Sequence, residues 1–452
     1  MTRHYLHLLI FLTLNLLCVS VSFGQDEDNL QNDNTQEDAT WAQDLIEEYI
    51  QSNELGEEFD YNTFVDQLHY FFKHKLDLNY ASFDDMNDLG LLSDIQINNI
   101  IEYRNNVGKL IVIYELQAIP TIDMTTIKRI LPFVKVGGDL NDYQISIAKM
   151  MYKGKNDVFL RGRRYLEKQK GFLPVENPSD NHYLGDPYQF YARFKHTYEN
   201  KLSYGITAEK DPGEEFFKGS NKQGFDFYSA HFFVKDYRKW LKAVAVGDFL
   251  VNMGQGLIHY DGFGSGKSAY VINIKKSGRT LQAFSSINEF NYQRGIGVTI
   301  APIKNIEVTA FASIRKRDGN IVALTDTSDY EENVIVFTSL GISGLHRTAL
   351  EIADEGAITQ QSYGAVIKFK KNNLRINSNS LFENLSKPFN RAEQPYNQYQ
   401  FSGTSILNTS IDYSYIYRNI NFFGETALNF NNMSVASING LIIGLDRKVD
   451  LA

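Results

Sequence analysis

From about residue 143 onward the chain repeats segments of roughly ten residues in which apolar and polar side chains alternate, and this period of two constrains the fold more than any other feature. In YQFYARFKHTYE, residues Tyr188, Phe190, Ala192, Phe194 and Tyr198 share one face, while Gln189, Tyr191, Arg193, Lys195 and Thr197 share the other. In NIEVTAFASIRKRD, Ile306, Val308, Ala310, Ala312 and Ile314 alternate with Glu307, Thr309, Phe311, Ser313, Arg315 and Arg317. In SIDYSYIYRN, Ile411, Tyr413, Tyr415 and Tyr417 alternate with Ser410, Asp412 and Ser414. Each segment is an amphipathic strand with one apolar, aromatic face and one largely polar face.

Such strands suit a soluble sandwich, with the apolar face buried, or a barrel whose apolar face meets lipid and whose polar face lines a lumen. Charged residues such as Arg193, Lys195 and Glu209 recur at strand interiors, and the 27 Tyr and 31 Phe could supply an interfacial aromatic girdle. Turns such as Arg418-Asn419 and Asn431-Asn432 alternate with polar excursions at 317–335 and 384–396, as periplasmic turns and external loops would. The pattern predicts an antiparallel transmembrane β-barrel over residues 143–452, with outer-membrane lipid as the partner of its apolar face. After INGLIIGLDRK the chain reads VDLA and stops, without a terminal strand ending in an aromatic residue. That ending leaves open that the barrel is incomplete at its C-terminus.

The N-terminus agrees with export. Arg3 and His4 precede LHLLIFLTLNLLCVSVSFG, and an acidic stretch opens at Gln25, which is the layout of a signal peptide over residues 1–24. Cys18 is the only cysteine, and Leu17 stands where a lipidated cysteine would want a small residue. Cleavage would leave a mature chain without disulfides or thiolate metal sites. Residues 25–39, QDEDNLQNDNTQEDA, carry Leu30 as their one large apolar side chain and are expected to form a disordered acidic linker. The net charge of −9 does not favour nucleic acid as a partner for the whole surface.

Helical periodicity starts at Thr40. Trp41, Leu45, Ile46, Tyr49 and Ile50 share one helical face, and Tyr61, Phe64, Val65, Leu68 and Phe72 share another, giving a helical extension over 40–77. Residues 78–135 then read as two helix-turn-helix units. Asn79, Ala81, Ser82, Met86 and Leu89, followed by IIEYR at 100–104 and Gly108, resemble the first unit of the tandem helix-hairpin-helix domain of ComEA-like competence DNA receptors. Leu116, Ile119, Pro120, Ile122, Ile130, Pro132 and Phe133 resemble its second unit. The domain is placed at 78–137, and segments such as YGITAEKDPGEEFFKGS and SGLHRT are similar to a Bacteroidetes-type group of uncharacterised proteins that join such hairpins to barrels.

That resemblance implies DNA binding, with phosphate nearest Gly90, Leu91, Leu92, Ser93, Lys109, Thr121, Lys128 and Arg129. A phosphate-binding hairpin uses glycine-rich turns so that backbone N–H groups at a helix start can approach the anion. Here the turns are Gly90-Leu91-Leu92-Ser93 and Pro120-Thr121-Ile122-Asp123, and Asp123 would set a negative charge where phosphate should sit. From 79 to 135, seven acids outnumber five bases. The sequence therefore predicts an N-terminal all-α domain that contacts a periplasmic protein partner or plugs the barrel, with DNA binding or uptake as the alternative.

No motif announces chemistry. Gly266-Lys267-Ser268 ends like a phosphate-binding loop, but the spacing demands a glycine at Asp261, so no nucleotide is expected. Lys267, Lys275, Lys276 and Arg279 would give that segment a local positive field, or simply a solvated loop. His69 and His74 face different directions on a helix, no metal-ligand spacing occurs, and Glu214-Glu215 reads as a loop acid pair. The expectation is a non-enzymatic protein with no catalytic residue, metal or cofactor.

Overall fold

The computed structural model describes residues 53–54, 68, 70–137, 146–174, 181–262, 267–268, 274–324, 334–446 and 449–452. The signal-peptide and linker expectations, and most of the helical extension, lie outside these residues.

A 16-stranded sheet dominates the molecule. Its main path is a meander in which each strand pairs antiparallel with its sequence neighbour: β1 (Lys155–Arg164), β2 (Tyr188–Tyr198), β3 (Leu202–Lys210), β4 (Phe227–Lys235), β5 (Leu241–Val251), β6 (Gln293–Ile303), β7 (Ile306–Arg317), β8 (Ile358–Lys371), β9 (Leu374–Phe389), β10 (Gly403–Tyr417), β11 (Ile420–Asn429), β12 (Val435–Asp446) and β13 (Val449–Leu451). Among the described residues no pairing joins β1 to β13, so the sheet is not closed.

The faces are inverted relative to a soluble protein. On β7, Ile314 is 55% exposed while its neighbours Arg315 and Arg317 are 5% and 7% exposed. On β10, Ile411 is 60% exposed beside Asp412 at 7%. The buried face carries Ser313, Ser362, Asn379 and Ser410, whereas Ile206, Ile296, Ile367 and Tyr415 point outward. Burying polar side chains and exposing aliphatic ones is unfavourable in water and favourable where the outside is hydrocarbon. No described helix is long and apolar enough to cross a membrane, but most strands of the meander reach the roughly 9–11 residues that a tilted spanning strand needs.

The two ends of the sheet differ. At one, turns at 199–201, 236–240, 304–305, 372–373 and 418–419 are short. At the other, segments 165–187, 211–226, 252–292, 318–357 and 390–402 are longer. The structure corrects three boundaries. Residues 317–335 are not a plain loop, since Gly319–Leu324 pairs with Val334–Leu340. The segment taken as an excursion from 384 remains in β9 to Phe389. Asn431-Asn432 lies at the long-loop end rather than with Arg418-Asn419, because β10 and β11 reverse direction between them.

After helical residues at 68 and 70–73, the helical part continues with α1 (Phe83–Asp88) and α2 (Asp94–Asn106), followed by a 3-10 turn at Ile113–Ala118 and α3 (Met124–Ile130). Each helix start has a local cause. Ser82 and Asp85 form a reciprocal capping box on α1, Ser93 and Gln96 form one on α2, and the Asp123 side chain accepts from Thr126 N–H on α3. Phe83, Met86, Ile97, Ile100, Leu116, Ile127 and Phe133 are buried. A further helix, α4 (Ile147–Lys153), precedes β1, so the strand region starts a dozen or so residues later than the period of two suggests.

Candidate functional site

The helices meet the inner face of the sheet at its short-turn end. On α1, Phe83 and Met86 are buried, and Asp85 and Asp88, three apart, share a helical side that faces cations from the sheet and from a loop. Arg279 donates from Nη2 to Asp85 Oδ1 at 2.6 Å and from Nε to Asp88 Oδ2 at 2.7 Å. Lys235, at the end of β4, reaches the same two carboxylates at 3.3 and 3.5 Å. At the start of α2, Asp94 pairs with Lys275, whose Nζ also donates to Ser414 Oγ on β10 at 2.8 Å. Ile95 packs with Ile416, Phe423 and Ile442 from β10, β11 and β12. Contacts from β4 round to β12 require the sheet to curl around the helices.

Lys275 and Arg279 belong to the long segment after β5, which lies against the inner face. There, Glu425 on β11 accepts from Gln255 N–H at 2.6 Å and Leu257 N–H at 3.1 Å. Gly254 permits this approach, because it has φ +51° and a Cβ there would come within 2.6 Å of the Glu425 carboxyl carbon. The expected solvated, positive loop is thus corrected: Lys275 is buried, and the charges of Lys275 and Arg279 are matched by Asp94, Asp85 and Asp88.

The electrostatics of the acids follow from these contacts. Burial would raise the Asp85 carboxyl, but Lys235 and Arg279 outweigh it and hold it well below the ordinary carboxylate range. At Asp88 burial wins over Arg279 and Lys235, and Asp85 adds repulsion, so that carboxyl is pushed up. Asp94 is held down by Lys275 against its own burial.

The residues singled out for phosphate fall in different settings. Gly90 is exposed at φ +71°, Leu91 and Leu92 are buried, and Ser93 caps α2. Thr121 sits at φ +68°, and its carbonyl accepts from Gln96 Nε2, which brings the second turn beside the start of α2. Lys128 is exposed and Arg129 half-buried on α3. Lys109 lies beyond the far end of α2, roughly 20 Å along the axis from Ser93, and donates to Tyr80 Oη at 2.6 Å. The structure therefore gathers the two turns but not Lys109.

A second group, at the long-loop end, joins Glu214, read from the sequence only as half of a loop acid pair, to Asp226 and His346. His346 is bound by Asp226 at 2.6 Å from Nδ1 and by Asp318 at 3.2 Å from Nε2, and its backbone N–H donates to Glu214 Oε1 at 3.0 Å. Burial lowers the imidazole, but the hydrogen bonds to Asp226 and Asp318 outweigh it and push His346 up to about 11. Burial, then the Asp226 charge, pushes Glu214 up to about 7. Ligand atoms of Glu214, Asp226 and His346 lie within 4.8 Å of one another, but His346 held as a cation between two carboxylates has no lone pair for a metal ion, whereas a carboxyl titrating near neutrality can move protons.

No protein-family model matches the chain, and no curated protein matches it. Among solved structures it is similar to OmpTdeltaL8, a loop L8 deletion mutant of OmpT, an outer membrane protein of Vibrio cholerae. The identity is 10%, the match covers 65% of this chain and 89% of that one, and the TM-score is 0.24, too low to support a functional transfer. The expectation of a non-enzymatic protein is nevertheless corrected. It rested on missing sequence motifs, whereas Glu214, Asp226 and His346 form a group of titratable side chains that no motif announces.

Proposed function

We propose that the chain is an outer-membrane β-barrel protein whose lumen is occupied from the periplasmic end by its helical hairpins, which act as a seated and releasable plug. The observation that carries this reading is the pairing of hairpin acids with inward cations: Asp85 and Asp88 with Lys235 and Arg279, and Asp94 with Lys275. The inverted faces of β7 and β10 support a lipid surround. Short turns on the helix side and longer segments opposite support a periplasmic plug. Because the contacts are largely ionic, a competing charged partner or a change of protonation could release the plug, as an all-apolar seat would not allow.

The test is conductance in planar bilayers. Wild-type protein should be largely closed, and Asp85→Asn/Asp88→Asn or removal of 78–137 should produce open-channel events. Equal closure in all three would sink the plug reading. DNA binding through the hairpins has weaker support, since the N–H of Thr126 on α3 is already taken by Asp123 and Asp94 faces Lys275. Titration with a labelled duplex at low and physiological salt separates the two: tight, salt-sensitive binding would favour DNA.

A further inference from the structure

A cavity of about 690 Å³ lies between α1 and the short-turn end of β5 to β9. That volume falls within the roughly 300–1,000 Å³ of small-molecule sites. Its floor holds Lys368, Lys370 and Arg375 together with Asp84, and its rim holds Lys239, Lys304 and Trp240. Arg279 also lines it but is matched by Asp85 and Asp88; with Lys242 counted, the other six cations face three carboxylates, those of Asp84, Asp236 and Glu307, an excess of three positive charges.

Asp84 lies among Lys368, Lys370 and Arg375 and offsets one of their three charges. Asp236 is already engaged by Lys242 at 3.2 Å and approached by Arg279 at 3.7 Å. Among the described residues, Lys368, Lys370 and Arg375 form no ion pair within 4 Å. Register explains their convergence: Lys370 sits opposite Arg375, and Lys368 sits opposite Glu307 on its other side. Lys370 and Arg375 lie over the Phe83 ring, at 4.9 and 3.2 Å from its centroid. Such ring contacts attract the cations but supply no counter-charge. Three like charges against a low-dielectric wall, with the single carboxylate of Asp84 among them, leave a positive excess that a further anion would neutralise.

We infer that this cavity is a binding site for a phosphate-bearing anion, held by Lys368, Lys370 and Arg375 and admitted past Lys239 and Lys304. The rim supplies the source. Trp240 is 58% exposed and Ile303 62% exposed beside the two lysines, the mixture of ring, aliphatic and cation that settles at a headgroup layer. A phospholipid headgroup of the inner leaflet and a free phosphate compound share this chemistry. The assignment of a lipid source rests on the outer-membrane reading, and the phosphate site itself does not.

The experiment uses the full chain. Native mass spectrometry in nanodiscs of phosphatidylglycerol or phosphatidylcholine reads lipid retention, and calorimetry in detergent with inorganic pyrophosphate reads the soluble source. Retention of phosphatidylglycerol over phosphatidylcholine, lost at least tenfold in Lys368→Gln/Lys370→Gln and kept in Lys153→Gln on α4, supports a headgroup. Pyrophosphate binding lost in the same variant, without lipid preference, supports a soluble anion. Wild-type protein that binds neither probe at low salt overturns the inference whether or not the variants fold, as does a double variant that binds like wild type. Failure of the chain to insert in either nanodisc, with pyrophosphate still bound, would count against the membrane reading alone.

Discussion

Replacing Arg279 by Ala tests the seat of the plug most directly. The side chain is 14% exposed and serves Asp85 at 2.6 Å, Asp88 at 2.7 Å and Asp236 at 3.7 Å. Asp236 keeps Lys242, but Asp85 and Asp88 are left to share Lys235 at 3.3 and 3.5 Å. Breaking a buried ion pair by removing one partner costs about 3–5 kcal/mol, and the remaining lysine argues for the lower figure of about 3 kcal/mol. At about 1.4 kcal/mol per decade, the balance between docked and released hairpins should shift roughly a hundredfold toward release. Single-channel recording then reads a large rise in open probability, while the heat-induced gel shift of the barrel stays as in wild type. Adding Asp88→Asn to Arg279→Ala should cost less than the sum of the two single changes, because the second removes a carboxylate that the first stranded. A variant that stays as closed as wild type, or a pair whose effects simply add, would refute the reasoning.

Acid should open the same seat. The Asp85 and Asp94 carboxyls are lower in the folded chain than in the unfolded one, so their stabilisation is present above about pH 4 and is lost as pH falls through their folded values. Asp88, whose carboxyl burial pushes up, works in the opposite sense on protonation. Open probability should therefore climb as pH falls well below about 4, through the folded values of Asp85 and Asp94, and constant closure there would oppose the ionic seat. On the outer face, Ile411→Arg should cost about 2–4 kcal/mol near a bilayer midplane, read by refolding titrations into vesicles; a near-zero cost would speak against lipid at that face. At the long-loop end, His346→Gln removes the cation between Asp226 and Asp318 and should cost about 3 kcal/mol or more locally. Faster proteolysis within 318–357 checks it, and unchanged cleavage would mean that the group does not hold the loops.

The legible parts of the sequence were those with short-range causes. Alternation at Ile411, Asp412, Tyr413 and Ser414 identified a strand and separated its faces, because successive side chains of an extended chain point to opposite sides. Ser93 was read only as a neighbour of phosphate, although its cap with Gln96 spans just three residues and was written in the local pattern. Asp123 was legible as a charge opposed to phosphate, but its role as the cap of α3 was read only from the fold. Lys275 and Arg279 looked like a solvated basic loop because their partners, Asp94 and Asp85, stand 181 and 194 positions earlier.

The sequence by itself therefore determined the class of strand and its two faces, since each depends on residues a few positions apart. The tertiary structure decided which charges meet. His346 finds Asp226 across 120 positions, and Lys370 finds Phe83 only because β8 curls past α1. Pairings of that kind depend on how the sheet bends and where the hairpins seat, and the energy that selects them comes from desolvating charges together rather than from any local pattern.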